Sequence, residues 1–405
     1  MSVFLPRIRI INYRSIANAE LRLESKTFLV GPNGSGKSNI VDALSIISEG
    51  LQTTLEHAIR RRGGIKEVRR RTGGHPSHFS ISLCVTTEQG LRGVFAFRVG
   101  ALEKGDFEIQ EERSSIEYAG FARSYYEVER GELVRSSSDV TVQSKIFPDR
   151  FFLTTLSALE NFRQLFDLLS RISTYNISPN IVRASQPPDS GEILDREGHN
   201  ISSVIRRLSQ YQDKSLERIK EYLRRIVPGI DSVSYASLGQ QGTLEFRQIV
   251  QGSRTPWRFY ASNMSDGTLR SLGVLTALLQ THEIESRSPP LIAIEEPEST
   301  IHPGAAAVIM DAISEAARRK QIVVTTHSPD LLDHTDLHTS EVLNVVNKGG
   351  ITFVYPIDEP AKNLLKERLL TPGDLLRANQ LTSAAGKTEP LRAHQLALFP
   401  LDAAG

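Results

Sequence analysis

The chain of 405 residues contains one cysteine, Cys84, and no long hydrophobic run. One cysteine cannot close a disulfide within the chain and cannot supply a cysteine-rich zinc site. No apolar run approaches the about 20 residues that span a bilayer, and residues 1–10 are typical of a strand and not of a signal peptide. The formal net charge of +1 restricts any nucleic-acid surface to a local patch. These absences predict a cytoplasmic globular protein with no membrane partner.

A glycine-rich stretch dominates the remaining signals. Residues 31–38 match the phosphate-loop pattern G-x-x-x-x-G-K-[ST] in full, with an apolar run before them and a predicted helix after them. Glycines let backbone N–H groups approach an anion, and the helix N-terminus adds a favourable dipole. We expect Lys37 to reach the β- and γ-phosphates of ATP and the Ser38 hydroxyl to bind Mg²⁺. The predicted nucleotide-binding residues are Gly31, Asn33, Gly34, Ser35, Gly36, Lys37, Ser38 and Asn39.

Hydrophobic periodicity divides the rest of the chain. Residues 79–134 alternate with period two and predict an antiparallel meander. Residues 156–172 and 201–226 predict helices, and strands return at residues 244–250 and 257–260. Elsewhere strands alternate with helices, which predicts a doubly wound α/β core that binds ligands at the carboxyl ends of parallel strands. The expected division is a core of residues 1–75 and 240–380, an antiparallel β insert of residues 76–135, a helical lobe of residues 150–240 and a weakly structured tail of residues 381–405.

A basic stretch follows the phosphate-loop helix. Seven cations within residues 60–71 could contact DNA backbone or nucleotide phosphates, or could form a solvated basic face. They are Arg60, Arg61, Arg62, Lys66, Arg69, Arg70 and Arg71. Arg14 leaves a similar choice open, between facing the nucleotide and lying in a solvated turn.

Two acidic residues end a short apolar run far downstream, which is the Walker B arrangement. Glu295 is placed to hold the Mg²⁺ shell, and Glu296 to orient and polarise the attacking water. His327 ends the next apolar strand and is placed to sense the γ-phosphate, although a lone histidine there could equally be a core residue. Glu296, His327 and Lys37 form the predicted catalytic set, and Ser38 and Glu295 are the predicted metal ligands.

The order of these motifs resembles the ABC-type ATPases, and within them the RecF/SMC-like branch. The resemblance rests on Asn12-Tyr13-Arg14-Ser15 before the phosphate loop, on the signature-like stretch from Met264 to Arg270, and on Glu295-Glu296-Pro297-Glu298 followed by Ile301-His302-Pro303. It covers roughly residues 1–75 and 240–335, and the middle more loosely. A Thr-His-Ser strand end around His327 completes the series.

This resemblance implies a P-loop NTPase of the ABC-ATPase head type, with a doubly wound and mostly parallel sheet, an antiparallel β subdomain and a small helical lobe. Ser265 and Gly267 would touch the γ-phosphate of ATP held by a second subunit. Glu296 would be the catalytic base and His327 the switch. The implied assembly is a head-to-tail homodimer, with room for a higher assembly, which ATP joins and hydrolysis releases.

The sequence departs from the family pattern at four points. Glu295 stands where many relatives have aspartate, and Asp266 replaces the glycine of the commonest signature. The glutamine of the Q-loop is not identified, with Gln143 and Gln164 as candidates. The long coiled-coil arms of SMC proteins are missing from the middle segment.

Three functions remain in competition on the sequence. The leading prediction is an ATP-hydrolysing, DNA-associated ATPase of genome maintenance or anti-phage defence that works with a separate effector such as a nuclease. No nuclease pattern is recognisable beyond residue 335. The alternatives are an ATP-gated scaffold that does not hydrolyse ATP, and an ATPase subunit of a transporter.

Overall fold

The computed structural model describes residues 4–71, 77–118, 122–140, 146–281, 288–333, 337–367, 369–378, 380, 398–401 and 403. Its strands are β1 (Arg7–Tyr13), β2 (Ile16–Arg22), β3 (Lys26–Val30), β4 (His78–Thr86), β5 (Leu91–Ala101), β6 (Phe107–Tyr118), β7 (Ser124–Glu129), β8 (Glu132–Ser136), β9 (Ser173–Tyr175), β10 (Ile230–Leu238), β11 (Gln241–Gln248), β12 (Trp257–Tyr260), β13 (Leu291–Glu295), β14 (Gln321–Thr326), β15 (Val342–Lys348) and β16 (Ile351–Pro356). Its helices are α1 (Lys37–Gln52), α2 (Leu55–Arg61), α3 (Ile65–Val68), α4 (Phe152–Leu156), α5 (Glu160–Ser170), α6 (Pro179–Arg183), α7 (Ile201–Gln210), α8 (Lys214–Ile226), α9 (Asp266–Leu279), α10 (Ala306–Ala316), α11 (Pro329–Leu332), α12 (Glu359–Lys366) and α13 (Pro372–Arg377).

One large mixed sheet organises these elements. Thirteen described strands pair in the order β8-β7-β6-β5-β4-β1-β2-β16-β15-β3-β14-β13-β9. The strands from β15 to β9 run parallel to one another, whereas those from β8 to β2 form antiparallel pairs. The predicted meander therefore extends the same sheet, because β4 pairs with β1. The predicted α/β class is confirmed.

The central strand β3 is buried on both faces. Phe28 and Val30 belong to the core that contains α7 to α10, while Leu29 belongs to the opposite core with α1, α4 and α5. A strand covered by helices on both sides is apolar throughout and does not alternate. The phosphate loop therefore starts from a rigid, fully packed strand.

The helical lobe is more broken than its periodicity predicts. The predicted helix at residues 156–172 is found as the shorter α5, with α4 as a separate helix before it, and the one at residues 201–226 divides into α7 and α8. At the second break Gln212 has φ 49°, and the Asp213 carboxylate accepts the N–H of Ser215 at 2.8 Å to start α8. Chain reversal and capping at these residues override the apolar spacing. The sequence analysis also missed β10, which pairs with β11 in a separate three-stranded sheet.

The predicted weakly structured tail is only partly visible. Residues 381–397 lie outside the described residues. Leu398 and Phe399 are buried, at 2% and 1% exposure, against Cys84, Val94 and Ala96 of β4 and β5. Their burial shows that the end of the chain covers part of the meander.

Candidate nucleotide-binding site

The phosphate loop connects β3 to α1 and depends on its glycines. Gly34 and Gly36 have φ 76° and 104°, a left-handed conformation that glycine adopts without steric cost. A Cβ on Gly36 would lie 2.0 Å from Oγ1 of Thr352, and one on Gly31 would lie 2.1 Å from the carbonyl oxygen of Val345. The loop thus presents backbone in a space that side chains could not share.

Lys37 lies over this loop. Its Nζ donates to the carbonyl oxygens of Gly31 at 2.7 Å and Pro32 at 3.1 Å. Burial lowers the pKa of Lys37, while the carboxylates of Glu296 and Glu295 nearby oppose that shift. Because these two acceptors are neutral carbonyls, Lys37 can move to a phosphate without breaking an ion pair with a carboxylate.

A hydroxyl from the far end of the chain supports the loop. Thr352 donates to the carbonyl oxygen of Ser35 at 2.9 Å, and its hydroxyl lies 2.7 Å from that of Ser15. Asn39 donates to Ser15 at 2.6 Å. Asn39, predicted to bind nucleotide, is therefore tied into the support of the loop. The sequence analysis missed Thr352 because no local pattern marks it.

The acidic motif and His327 lie beside the loop, as the sequence order predicts. Strand β14 lies between β3 and β13, so the carboxyl ends of the three strands are neighbours. Glu296 has φ 44° and donates its N–H to the carbonyl oxygen of Thr325 at 3.0 Å. Its Oε1 lies 3.4 Å from Nδ1 of His327. The predicted catalytic glutamate and histidine are brought together.

A buried glutamate accompanies this pair. Glu298 is 9% exposed, accepts a hydrogen bond from the Thr326 hydroxyl and has a raised pKa because of its burial. Its motif position alone did not predict this contact.

Arg270 of α9 holds the turn of residues 296–300, which follows β13 and which we call the acidic turn. Its guanidinium donates to the carbonyl oxygens of Ile177 at 2.6 Å, Glu295 at 3.1 Å and Glu296 at 2.9 Å. Residue Arg270 is 8% exposed, and these contacts pair its two Nη groups with backbone carbonyls, while its Nε is buried without a hydrogen-bond partner. An arginine within an otherwise apolar helix was the available sequence signal, and the sequence analysis assigned it no role.

Glu295, which the sequence predicts to hold Mg²⁺, has a cationic neighbour. Nη2 of Arg196 lies 3.3 Å from Oε1 of Glu295, whose residue is 7% exposed. Arg196 comes from the loop between α6 and α7. No pattern in that loop indicated a contact with the acidic motif.

Asp42 on α1 gathers three side chains from outside the motif. It accepts hydrogen bonds from Tyr13 at 2.7 Å and from Nε of Arg62 at 2.8 Å, and forms an ion pair with Arg14 at 2.8 Å. Arg62 also donates to Glu49 at 2.6 Å. Arg14, a candidate nucleotide contact, is thus held on the phosphate-loop helix.

The signature-like stretch forms the start of α9. The Ser265 hydroxyl accepts the N–H of Thr268 at 3.3 Å, and Asp266 pairs with Arg183. A Cβ on Gly267 would lie 2.6 Å from the carbonyl oxygen of Thr300, so close packing against the acidic turn also requires this glycine. Ser265 and Asp266 are exposed.

The residues present fit a triphosphate with Mg²⁺. The Ser35 hydroxyl is buried without a hydrogen-bond partner beneath a loop that a Cβ would fill. Ser38 and Glu295 offer oxygen ligands, and Mg²⁺ commonly binds one or two protein oxygens together with phosphates and water. Within the described residues, no group of three or more His, Cys, Asp or Glu side chains is arranged to hold a metal ion by itself.

The basic stretch folds as α2 and α3 and is partly consumed by internal contacts. Arg62 is 5% exposed at its side chain, within the Asp42 cluster. The backbone of Arg70 donates to Asn12 at 2.8 Å, which ties this end of the stretch to β1. Four cations remain on the surface, and we call them the α2–α3 basic surface: Arg60, Arg61, Lys66 and Arg71. Arg60 and Arg71 each pair with a glutamate one helical turn away.

Of the two Q-loop candidates, the structure describes Gln164, which contacts residues of the meander. Gln143 lies outside the described residues. Gln164 accepts a hydrogen bond from Tyr118 at 2.6 Å and donates to Gln89 at 3.2 Å, both at the meander.

No described helix combines the length and the apolar surface that crossing a lipid bilayer requires.

The family model described as "AAA domain, putative AbiEii toxin, Type IV TA system" matches residues 26–333. Among curated proteins, the chain is similar to the Old nuclease of Escherichia phage P2, with 22% identity over 426 aligned positions that cover 96% of this chain and 69% of that protein. It is also similar to the uncharacterized protein YbjD of Escherichia coli strain K12, with 24% identity over 82% of this chain and 60% of that protein.

Solved structures show the same fold at low sequence identity. An Smc head bound to the C-terminal winged-helix domain of ScpA has a TM-score of 0.53 at 14% identity and covers 89% of this chain and 99% of its own. The Pyrococcus furiosus Smc head with an extended coiled coil has a TM-score of 0.52 at 11% identity and covers 91% of this chain and 100% of its own. The predicted ABC-ATPase head is confirmed. The chain belongs to the family described as AAA domain, putative AbiEii toxin, and is a P-loop ATPase of the RecF/SMC-like kind.

Proposed function

We propose that this protein is a cytoplasmic ATPase that binds Mg–ATP, hydrolyses it and dimerises head to tail around it. The observation that carries the proposal is the meeting of three motifs at neighbouring strand ends. Lys37, Glu295 with Glu296, and His327 follow β3, β13 and β14, which are adjacent in the sheet. Phosphoryl transfer needs mainly positioning and charge neutralisation, and this arrangement provides both.

In this proposal, each residue of the site binds Mg–ATP, takes part in its hydrolysis or holds the acidic turn in place. Lys37 exchanges its loop carbonyls for the β- and γ-phosphates, and Ser38 and Glu295 hold Mg²⁺. Mg–ATP supplies the γ-phosphoryl group and neutralises charge that develops on its oxygens. Glu296 accepts a proton from the attacking water, and His327 hydrogen-bonds Glu296 and reports the γ-phosphate. Arg270 holds the backbone of the acidic turn in place.

The second half of the site comes from a partner copy in this proposal. Ser265 is exposed at the start of α9, and it is available to a nucleotide on another subunit. Ser265 and Gly267 would then contact the γ-phosphate held by the partner's phosphate loop. ATP favours the closed dimer because it contacts two subunits there and one in the monomer.

The biological setting follows the relatives. Similarity to a phage nuclease and to Smc heads favours action on DNA in genome maintenance or anti-phage defence, with a separate effector such as a nuclease. The α2–α3 basic surface is the candidate DNA contact. A second candidate function is a scaffold that binds ATP without turnover.

The test is the solution mass of Glu296→Gln with and without Mg–ATP, measured beside phosphate release. We expect a monomer without nucleotide and a dimer with it, because binding persists while hydrolysis stops. Glu296→Gln combined with Lys37→Ala is the matched control and should stay monomeric. Normal phosphate release by Glu296→Gln would reject the catalytic assignment, and a dimer of equal mass without ATP would favour the scaffold.

A further inference from the structure

The loop that carries Arg196 is held beside the acidic motif by main-chain contacts. The backbone N–H of Asn176 donates to the carbonyl oxygen of Arg196 at 2.9 Å, and that of Ser178 donates to Glu197 at 3.1 Å. Asn176 directly follows β9, which pairs in parallel with β13. Because Glu295 ends β13, the loop is fixed at the edge of the sheet where that carboxylate lies. The position of Arg196 is therefore set by the fold.

The side chain of Arg196 bridges the acidic motif and the phosphate-loop helix. Nη2 lies 3.3 Å from Oε1 of Glu295, and Nη1 lies 3.5 Å from the hydroxyl of Ser45 on α1. The arginine side chain is 33% exposed, whereas that of Glu295 is 8% exposed. A nearly buried carboxylate requires a cation or hydrogen-bond donors to offset its lost hydration.

The other cations near this carboxylate point elsewhere. Lys37 donates to loop carbonyls, and Arg270 donates to backbone carbonyls, including that of Glu295 itself. Arg196 thus contacts the carboxylate oxygen of Glu295 in the nucleotide-free protein. That carboxylate is also the one expected to hold Mg²⁺, and a guanidinium beside a divalent cation is repelled by it.

We propose that Arg196 is a positioning residue that serves as a counter-ion of Glu295 in the absence of metal and competes with Mg²⁺ for that carboxylate. The inference rests on the proposed function, since it assumes a Mg–ATP site at Glu295. Binding of Mg–ATP breaks the contact between Arg196 and Glu295, which releases one restraint on the loop between α6 and α7. By linkage, a partner that binds this loop in its released position and Mg²⁺ at Glu295 strengthen each other's binding by the same factor.

The experiment measures binding and not turnover. Arg196→Gln keeps a hydrogen-bonding side chain and removes the charge. Mn²⁺, observed by electron paramagnetic resonance in the presence of ATP, reports metal affinity, and ATP affinity is measured separately in EDTA. We expect Arg196→Gln to require about two- to fivefold less Mn²⁺ for half saturation, the range of a partly exposed ion pair, and to bind ATP in EDTA as the wild type does.

Thermal unfolding supplies a second readout. Without metal, Arg196→Gln should melt below the wild type because Glu295 loses its counter-ion, and the difference should shrink in Mg–ATP. Arg196→Lys should restore the wild-type metal requirement. Arg206→Gln is the matched control, since Arg206 lies on the neighbouring α7 and contacts the Asp189 carbonyl and the Tyr235 ring. It should leave the metal requirement unchanged.

Each other outcome overturns the inference. Weaker ATP binding by Arg196→Gln in EDTA would make Arg196 a phosphate ligand. A higher or unchanged Mn²⁺ requirement would show that Arg196 does not compete with the metal. Failure of the wild type itself to bind ATP under both conditions would reject the proposed function, and it is distinguishable because it appears before any variant is compared.

Discussion

The guanidinium of Arg270 donates to the backbone carbonyl oxygen of Glu296 at 2.9 Å, on the residue that we assign as the general base. It therefore positions the acidic turn through the main chain and leaves the carboxylate of Glu296 free to meet His327. The signature helix and the acidic motif are thereby joined within one subunit. In the proposed dimer, this contact would transmit a movement of α9 to the acidic turn.

Replacement of Arg270 by methionine tests that relationship. We expect ATP turnover to fall by about 10- to 100-fold with a smaller change in ATP affinity, because the turn loses its positioning donor. We also expect the free energy of unfolding to fall by about 2–3 kcal/mol, since buried carbonyls lose charged donors. Steady-state phosphate release, ATP binding and urea unfolding measure the three quantities. Arg270→Lys keeps the charge with fewer donors and should fall between; full turnover by Arg270→Met would contradict the assignment.

The predicted DNA contact is confined to the four exposed cations of the α2–α3 basic surface, because other cations of the basic stretch, such as Arg62, are buried. Reversing Arg60, Arg61, Lys66 and Arg71 to glutamate should flatten the slope of log affinity against log salt by about 3–4, since each lost phosphate contact contributes about 0.9. DNA binding titrated at several salt concentrations measures this slope.

Arg62 provides the control for that experiment. Its side chain is 5% exposed and paired with Asp42 and Glu49, so Arg62→Gln should lower stability and leave the salt slope unchanged. An unchanged slope in the charge-reversed protein would exclude the α2–α3 basic surface as the DNA contact.

The buried carboxyl group of Glu112 should make the free energy of unfolding depend on pH. It is 1% exposed and accepts hydrogen bonds from Tyr126 at 2.6 Å, Phe152 at 2.8 Å and Leu153 at 2.9 Å. Burial raises its pKa from 4.5 to about 7, against those hydrogen bonds. The native state therefore holds a proton that the unfolded chain has released, so stability present below pH 4.5 is lost as the pH rises through about 7.

Urea unfolding between about pH 5 and pH 8 measures this effect. We expect the wild type to lose up to about 3 kcal/mol from this group and Glu112→Gln to lose less across the same range. Glu132→Gln, which removes an exposed carboxylate of β8, should keep the wild-type profile. Parallel profiles for the wild type and Glu112→Gln would contradict the raised pKa.

The segment that carries Phe399 covers Cys84, and we expect its removal to raise the reactivity of the thiol. The thiol is 2% exposed, donates to the Ala403 carbonyl at 3.4 Å and has a pKa that burial raises to about 11. Phe399 packs against it, and the guanidinium groups of Arg7 and Arg9 lie 4.4 and 4.6 Å from the Phe399 ring.

Phe399→Ala should detach this segment, because burial of the ring is worth about 3 kcal/mol or more. We expect a thiol reagent to label Cys84 at least about tenfold faster, and a single cysteine makes the signal unambiguous. Phe147→Ala, at an exposed phenylalanine, should label at the wild-type rate. Equal rates for Phe399→Ala and the wild type would mean that the segment does not protect the thiol.

The sequence by itself determined the strand–loop–helix at Lys37, the acidic strand end at Glu296 and the histidine strand end at His327. These are predictable because phosphate binding uses consecutive residues around one strand end, so the chemistry appears as a local pattern. The meander was equally visible, because the sequence of residues 79–134 alternates with period two. Its continuity with the core sheet was not visible, since pairing between β1 and β4 is a long-range contact.

The tertiary structure alone decided which polar side chains support the site. Thr352 reaches Ser35 across 317 residues, Arg196 reaches Glu295 across 99, and Arg270 reaches Glu296 across 26. A buried polar group must find a partner wherever the fold brings one, and no local spacing encodes that partner. Arg62 shows the same limit: the sequence pattern presents it as one more cation of a basic stretch, but in the fold its side chain is buried and pairs with Asp42 and Glu49 of α1.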